Sequence, residues 1–284
     1  MNYIDNYKSW LESEYVDEQT KSELKAIEND DNEIKERFYK DLEFGTGGLR
    51  GIIGAGCNRM NIYTVRRATQ GLCEDIKKSG EQAMKAGVVI SYDCRHKSQL
   101  FAMESARVIA ANGIKAYVFD ELRPTPELSF AVRYLKAARG IMVTASHNPK
   151  EYNGYKAYGE DGGQLPPESS DYVINIIDKL DMFKDVKVAD EKDAKEKGLI
   201  KMVGSEIDDA YLAKVREQSI NEDAIKQLGD DFKIIYSPFH GTGNKPVRRI
   251  LDMIGVKNVR VVKEQELPDP DFSTVKSPNP EEKE

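Results

Sequence analysis

The chain has 284 residues and a formal net charge of -7, a length that allows two units, each able to bury its own core. Hydrophobic residues make up 39% and charged residues 32%, the composition of an ordinary globular protein. The acidic balance excludes an extended nucleic-acid surface, which needs clustered Lys and Arg, but leaves room for a local cationic pocket.

Residues 4–41 are rich in Glu and Lys and predict helices, interrupted by the polar stretch 28–32. From Gly45 the texture changes to Gly-rich loops, short apolar strands and amphipathic helices. Helical periodicity over 63–78 leads to Val88-Val89-Ile90-Ser91-Tyr92, a β-branched run that predicts a buried strand. A helix over 100–111 stops at Asn112-Gly113, and the next strand covers 115–119. Thr125-Pro126 open a helix that runs to about residue 137. A third strand over 140–144 feeds straight into Ala145-Ser146-His147-Asn148-Pro149. Such alternation makes a layered α/β domain, whose ligands bind beyond the carboxyl ends of the strands. Asp93-Cys94-Arg95 and Ser146-His147-Asn148 both occupy such ends.

Residues 181–204 are charged and weakly patterned, so a domain boundary is expected near 204. A helix over 207–218 follows, then a strand over 232–236 ending in Ser237-Pro238-Phe239-His240-Gly241-Thr242-Gly243. A helix over about 246–254 and a strand over 259–262 come next. The stretch 268–284 is Pro-rich and acidic and closes no sheet; it reads as a tail or as a domain cut short, and the cut is favoured. The expected fold class is α/β: a layered domain over 1–204 with a mixed sheet between helices, then a second, incomplete domain of the same type over 205–284.

No apolar run approaches the roughly 20 residues of a membrane span, and no basic segment precedes one at the amino terminus. Cys57, Cys73 and Cys94 lack C-x-x-C spacing and read as reduced thiols. Cytoplasmic residence, with neither membrane nor nucleic acid as partner, is the expectation.

Phe44-Gly45-Thr46-Gly47-Gly48-Leu49-Arg50-Gly51 is a Gly-rich loop with one arginine; its residues leave both phosphate contact and a structural turn open. It is not a dinucleotide fingerprint, because position 50 is not glycine. Ser146 has the placement a nucleophile needs, yet a polar loop is the plainer reading of the residues alone. Gly-x-Ser-x-Gly is absent, and His147 is weak support for a Ser–His couple because neighbours in an extended segment point apart. Asp93 and Arg95 read as an ion pair bracing a loop. Lys156 reads as a solvated charge at a turn or as a group reaching the serine. Asp269-Pro270-Asp271 fails as a metal loop, since the next alternate position is Ser273. Gly241-Thr242-Gly243-Asn244-Lys245 cannot be laid on a Walker A sequence, though it could cap a helix and bind an anion weakly.

Thr144-Ala145-Ser146-His147-Asn148-Pro149 resembles the phosphoserine signature of the phosphoglucomutase/phosphomannomutase (α-D-phosphohexomutase) family. Gly45–Gly51, Asp93-x-Arg95, Pro124-Thr125-Pro126 and Asp161-Gly162-Gly163-Gln164 stand in the family's order and spacing, so the resemblance runs from about residue 43 to the end. The helical amino terminus, the segment 59–67 and Lys150-Glu151-Tyr152-Asn153-Gly154-Tyr155-Lys156 are similar to the phosphoglucomutase/phosphopentomutase-like branch. The resemblance implies that Ser146 carries a phosphoryl group and gives one oxygen to Mg²⁺. It implies that Arg50 and Lys156 orient a sugar hydroxyl and assist its proton transfer, and that His147 positions the phosphate. Thr46, Gly47 and Asn148 would join Arg50 and Lys156 in binding substrate, with Asp93 and Arg95 as structural support. The implied activity interconverts glucose 1-phosphate and glucose 6-phosphate through glucose 1,6-bisphosphate, with a pentose or mannose phosphate as the alternative substrate. A non-catalytic phosphosugar-binding module is the reading of another class, and a serine hydrolase comes third. The family's metal loop, an Asp-x-Asp-x-Asp/Arg run, is expected just after Lys276-Ser277-Pro278-Asn279-Pro280, but the sequence stops at Glu284. The other metal ligands are therefore expected to be missing, and the chain alone to be inactive.

Overall fold

The structure is a computed structural model that describes residues 2–229, 232–279, 281 and 282. Three short helices open the chain: α1 (Tyr3–Glu12), α2 (Glu18–Lys25) and α3 (Asp31–Phe38). Asn2, Asp17 and Asp30 start them by accepting a backbone N–H. Their apolar stripes meet in one cluster, where Trp10 stands edge-on to Phe38, Tyr63 and Phe183.

Next come β1 (Gly48–Ile52), α4 (Ile62–Lys78), α5 (Glu81–Ala86), β2 (Val88–Tyr92), α6 (Ser98–Ala111) and β3 (Ala116–Phe119). They are followed by α7 (Thr125–Tyr134), β4 (Arg139–Val143), β5 (Tyr152–Tyr158), α8 (Pro167–Ile177), α9 (Glu191–Glu196) and β6 (Ile200–Val203). The sheet order is β1-β5-β4-β2-β3-β6; β4, β2, β3 and β6 run parallel, while β5 pairs antiparallel with both β4 and β1. All five residues of β2 are buried, as a central parallel strand covered on both faces requires. Ile90 packs under α4 and α6, and Val89 on the opposite face packs with Leu128 and Val132 of α7. After the sheet come α10 (Ser205–Arg216), whose Ile207 packs with Val89 and Leu128, then α11 (Glu222–Lys226), β7 (Ile234–Tyr236), α12 (Asn244–Met253) and β8 (Val259–Val261), with β7 and β8 parallel.

The layered α/β class and its mixed sheet are as expected, but several elements differ. Residues 48–51, read as part of a loop, fall within edge strand β1, and Lys156, read at a turn, lies within β5. Asn153-Gly154 looks like a turn signal, but a Cβ on Gly154 would lie 2.6 Å from the Thr144 carbonyl oxygen and 2.9 Å from that of Leu49. Glycine there permits close backbone approach within a strand. The weakly patterned stretch before 204 holds α9 and the sixth strand of the sheet. Among the described residues 268–282 have no helix or strand, yet Phe272 is buried, with its ring against Arg95.

Where α10 meets α7, Glu127 is 1% exposed, and Asp208 accepts from Arg123 Nε and Nη2 at 2.7 and 2.9 Å. Burial, then the Asp208 carboxyl, pushes the Glu127 pKa from 4.5 up to about 8, against the opposing charges of Arg123 and Arg249. A carboxyl raised in the folded state stabilises below its unfolded pKa, and that contribution is lost as pH rises through the folded value. Glu127→Gln keeps a neutral donor toward Asp208. At pH 9 this variant is expected to melt about 3 °C or more above the parent chain, a gap that narrows toward pH 5. Calorimetry that found the same difference at both pH values would contradict the raised Glu127 pKa.

Candidate functional site

Ser146 lies just past the carboxyl end of β4, after buried Thr144 and Ala145, and is itself exposed. Its φ of 57° is left-handed, a conformation that costs a serine roughly 1–2 kcal/mol and therefore needs support. The support comes from behind. The Ser146 N–H donates to Thr144 Oγ1 at 3.0 Å, and the Thr144 hydroxyl donates to Asp93 Oδ2 at 2.6 Å. The other Asp93 oxygen accepts from Ser98 Oγ at 2.7 Å and from the Arg95 N–H at 3.0 Å. Burial pushes the Asp93 pKa up, and the hydrogen bonds from Thr144, Ser98 and Arg95 oppose that shift.

Arg95 completes the support. Its side chain is fully buried, with Nε 3.4 Å from Asp93, so the expected ion pair forms. The guanidinium does more than pair. Nη1 donates to the carbonyls of Pro149 and Tyr152 at 2.8 and 3.1 Å, and Nη2 to those of Ser146 and Asn148 at 2.9 and 2.6 Å. Four carbonyls of one loop thus converge on one planar fork. Asn153 adds bonds to the His96 carbonyl and to Ser98 Oγ, both at 2.9 Å.

In front, the left-handed turn at Ser146 brings His147 Nδ1 to 3.4 Å from Ser146 Oγ. The expectation that these neighbours point apart assumed an extended backbone and does not hold here. Arg50 is exposed on β1 and donates to Asn148 Oδ1 at 3.3 Å, across 98 residues. The register pairs Gly48 with Lys156 and Arg50 with Gly154, so Arg50 and Lys156 share one face of the sheet. Partial burial lowers the Lys156 pKa, and the Arg50 charge lowers it further. Thr46 and Gly47 belong to the turn before β1 and bond elsewhere: the Thr46 carbonyl accepts from Gln164 Nε2 at 3.1 Å, and the Gly47 carbonyl from the Ala157 N–H at 2.8 Å.

Mg²⁺ takes about six oxygens, several of them water, and is held to a protein by one or two free carboxylates. Among the described residues no group of three or more His, Cys, Asp or Glu could hold one. Asp93 is committed to Thr144, Ser98 and Arg95, and Asp271 to His96 and Lys150. Beyond Ser146, then, the described residues do not fit a magnesium site; Pro280 and Glu284, next to the expected metal loop, lie outside them. All three cysteines are free, with burial raising their pKa. No helix among the described residues is long and apolar enough to cross a membrane.

Thr144, Ser98 and Asn153 were missed as supporting residues. Hydroxyls and amides carry no pattern of their own, and only their distance from Asp93 and Arg95 reveals them. Thr144→Val keeps the volume but removes a buried donor and acceptor, and is expected to cost about 1–3 kcal/mol. The check is the urea midpoint, with Thr144→Ser recovering most of the loss; an unchanged midpoint for the valine variant would contradict the relay.

The profile described as "Phosphoglucomutase/phosphomannomutase, alpha/beta/alpha domain I" matches residues 41–184, and its domain II counterpart matches 209–284. A phosphoglucomutase of Staphylococcus saprophyticus is 37% identical over 280 residues, 99% of this chain and 48% of that protein. A probable phosphoribomutase of Schizosaccharomyces pombe is 37% identical over 277 residues, 94% of this chain and 45% of that protein. A solved structure from Thermus thermophilus, classed as a phosphomannomutase, superposes with a TM-score of 0.67 at 26% identity, covering 83% of this chain and 48% of that one. The chain thus spans about half the length of the relatives it matches. With both profiles laid in order along one chain, and the phosphoserine-like loop braced at the carboxyl edge of the first sheet, the chain belongs to the phosphoglucomutase/phosphomannomutase family.

Proposed function

We propose that the protein is a phosphoglucomutase that interconverts glucose 1-phosphate and glucose 6-phosphate, with Ser146 as the phosphoryl carrier. The observation that carries this reading is a left-handed, exposed serine fixed by the Arg95 fork and the Asp93–Thr144 relay. Phosphoryl transfer is mostly positioning and charge neutralisation, so a rigid serine near cations suits it. In the forward step the bond from phosphorus to Ser146 Oγ breaks, and the oxygen keeps the electron pair. A new bond forms to the free sugar hydroxyl, giving glucose 1,6-bisphosphate. Lys156, whose proton affinity is lowered by burial and by Arg50, suits the transfer of that hydroxyl's proton. In this reading Arg50 orients the hydroxyl, and His147, Asn148, Thr46 and Gly47 line the phosphate's approach. The return step places the other phosphate on Ser146. Mg²⁺ belongs to the proposal as charge compensation, but no step is assigned to it on this chain.

The same reading treats residues 1–204 and 205–284 as two domains and the protein as cytoplasmic, which the free thiols support. A pentose phosphate is the second candidate substrate, because one relative at 37% identity carries a phosphoribomutase name. The test incubates the protein with glucose 1,6-bisphosphate and Mg²⁺ and maps phosphate by peptide mass spectrometry. Modification at Ser146, removed by excess glucose 6-phosphate and lost in Ser146→Ala, is expected. A persistently unmodified Ser146 would favour the binding-module reading. Faster discharge by ribose 5-phosphate than by glucose 6-phosphate would move the substrate to pentoses.

A further inference from the structure

Two sequence motifs are left without a role by the proposed chemistry: Ser237–Gly243 after β7, and Asp269-Pro270-Asp271-Phe272. The structure joins them. His240 is 3% exposed; its Nδ1 lies 2.9 Å from the Leu267 carbonyl and its Nε2 2.8 Å from Thr274 Oγ1. Donation from Nδ1 to the carbonyl and a hydrogen bond between Nε2 and the Thr274 hydroxyl satisfy both ring nitrogens. The segment between these two anchors is closed by Asp269, whose carboxylate accepts from the N–H groups of Asp271 and Ser273 and from Ser273 Oγ.

The tip of that segment meets the first unit behind the Ser146 loop. Phe272, 6% exposed and held at a left-handed φ of 49°, places its ring centroid 5.2 Å from the Arg95 guanidinium carbon. It therefore covers a face of the fork that gathers the four loop carbonyls, where a cation–aromatic contact out of water is worth the most. One oxygen of Asp271 lies 3.2 Å from both His96 Nε2 and Lys150 Nζ. His96 follows Arg95 and Lys150 follows Pro149, so the carboxylate bridges the two chain segments that the fork joins.

We propose that Asp271 and Phe272 are positioning residues. They act through Arg95 and Lys150, so that docking of the second unit sets the order of the Ser146 loop in the first. On this view the Ser237–Gly243 motif is an anchor for the strut rather than an anion site.

The experiment measures amide exchange by mass spectrometry and, separately, phosphate uptake at Ser146, on the full chain. Phe272→Ala is expected to speed exchange over 146–152 by about tenfold, with amides of β2 and β4 unchanged. Asp271→Asn, a change at a half-exposed site, is expected to produce a smaller rise without risk to folding. Phe272→Trp should restore protection. Uptake from glucose 1,6-bisphosphate should slow in parallel with little change in KM, a readout that rests on the proposed function. Unchanged protection over 146–152 in both variants overturns the proposal. Loosening of the loop in a chain whose Ser146 never takes phosphate supports the positioning role and removes the proposed function instead.

Discussion

Burying a guanidinium is costly unless every donor finds an acceptor, and burying a tight turn is costly unless its carbonyls find donors. At the carboxyl edge of β2 the two needs are met together by the Nη1 and Nη2 donors, while Nε faces Asp93 at 3.4 Å as an ion pair without a hydrogen bond. The loop from Ser146 to Tyr152 reverses direction and turns four carbonyls inward, and Arg95 meets them with two nitrogens in one plane. A lysine would offer one strongly hydrated point charge and could not span that spread. Asp93 balances the charge and also reaches Thr144, so the residue before β4's turn and the loop after it are braced by one pair.

The rest of the site depends on sheet topology. Parallel strands deliver their carboxyl ends to one edge, which puts Asp93 and Thr144 side by side. The antiparallel return of β5 carries Lys156 back beside that edge, and β1 adds Arg50 in register with it. Cations separated by about a hundred positions in sequence are thus held by backbone pairing on strands, which is firmer than placement on loops.

The sequence announced what local chemistry encodes. Val88–Tyr92 is β-branched and apolar but for Ser91 and read as a covered strand; Asn112-Gly113 closed the helix before it; and the loop around Ser146 was evident from its placement after β4 and its six-residue signature. Long-range pairing was not legible. Tyr152–Tyr158 alternates too weakly and contains Asn-Gly, so only the passing backbones of Thr144 and Leu49 reveal it as a strand. Phe272 was hidden for a similar reason, since an aromatic in a Pro-rich acidic stretch has no periodicity to betray its burial. His147 misled because one left-handed residue reverses the alternation on which the expectation relied.

The chain contains a single tryptophan, and it belongs to the first of the amino-terminal helices. Trp10 is 3% exposed, wedged between α3, α4 and the segment around Phe183. Intrinsic fluorescence of the protein is consequently a spectroscopic window on how the amino-terminal helices seat against the sheet domain. A red-shifted emission would signal their departure from it.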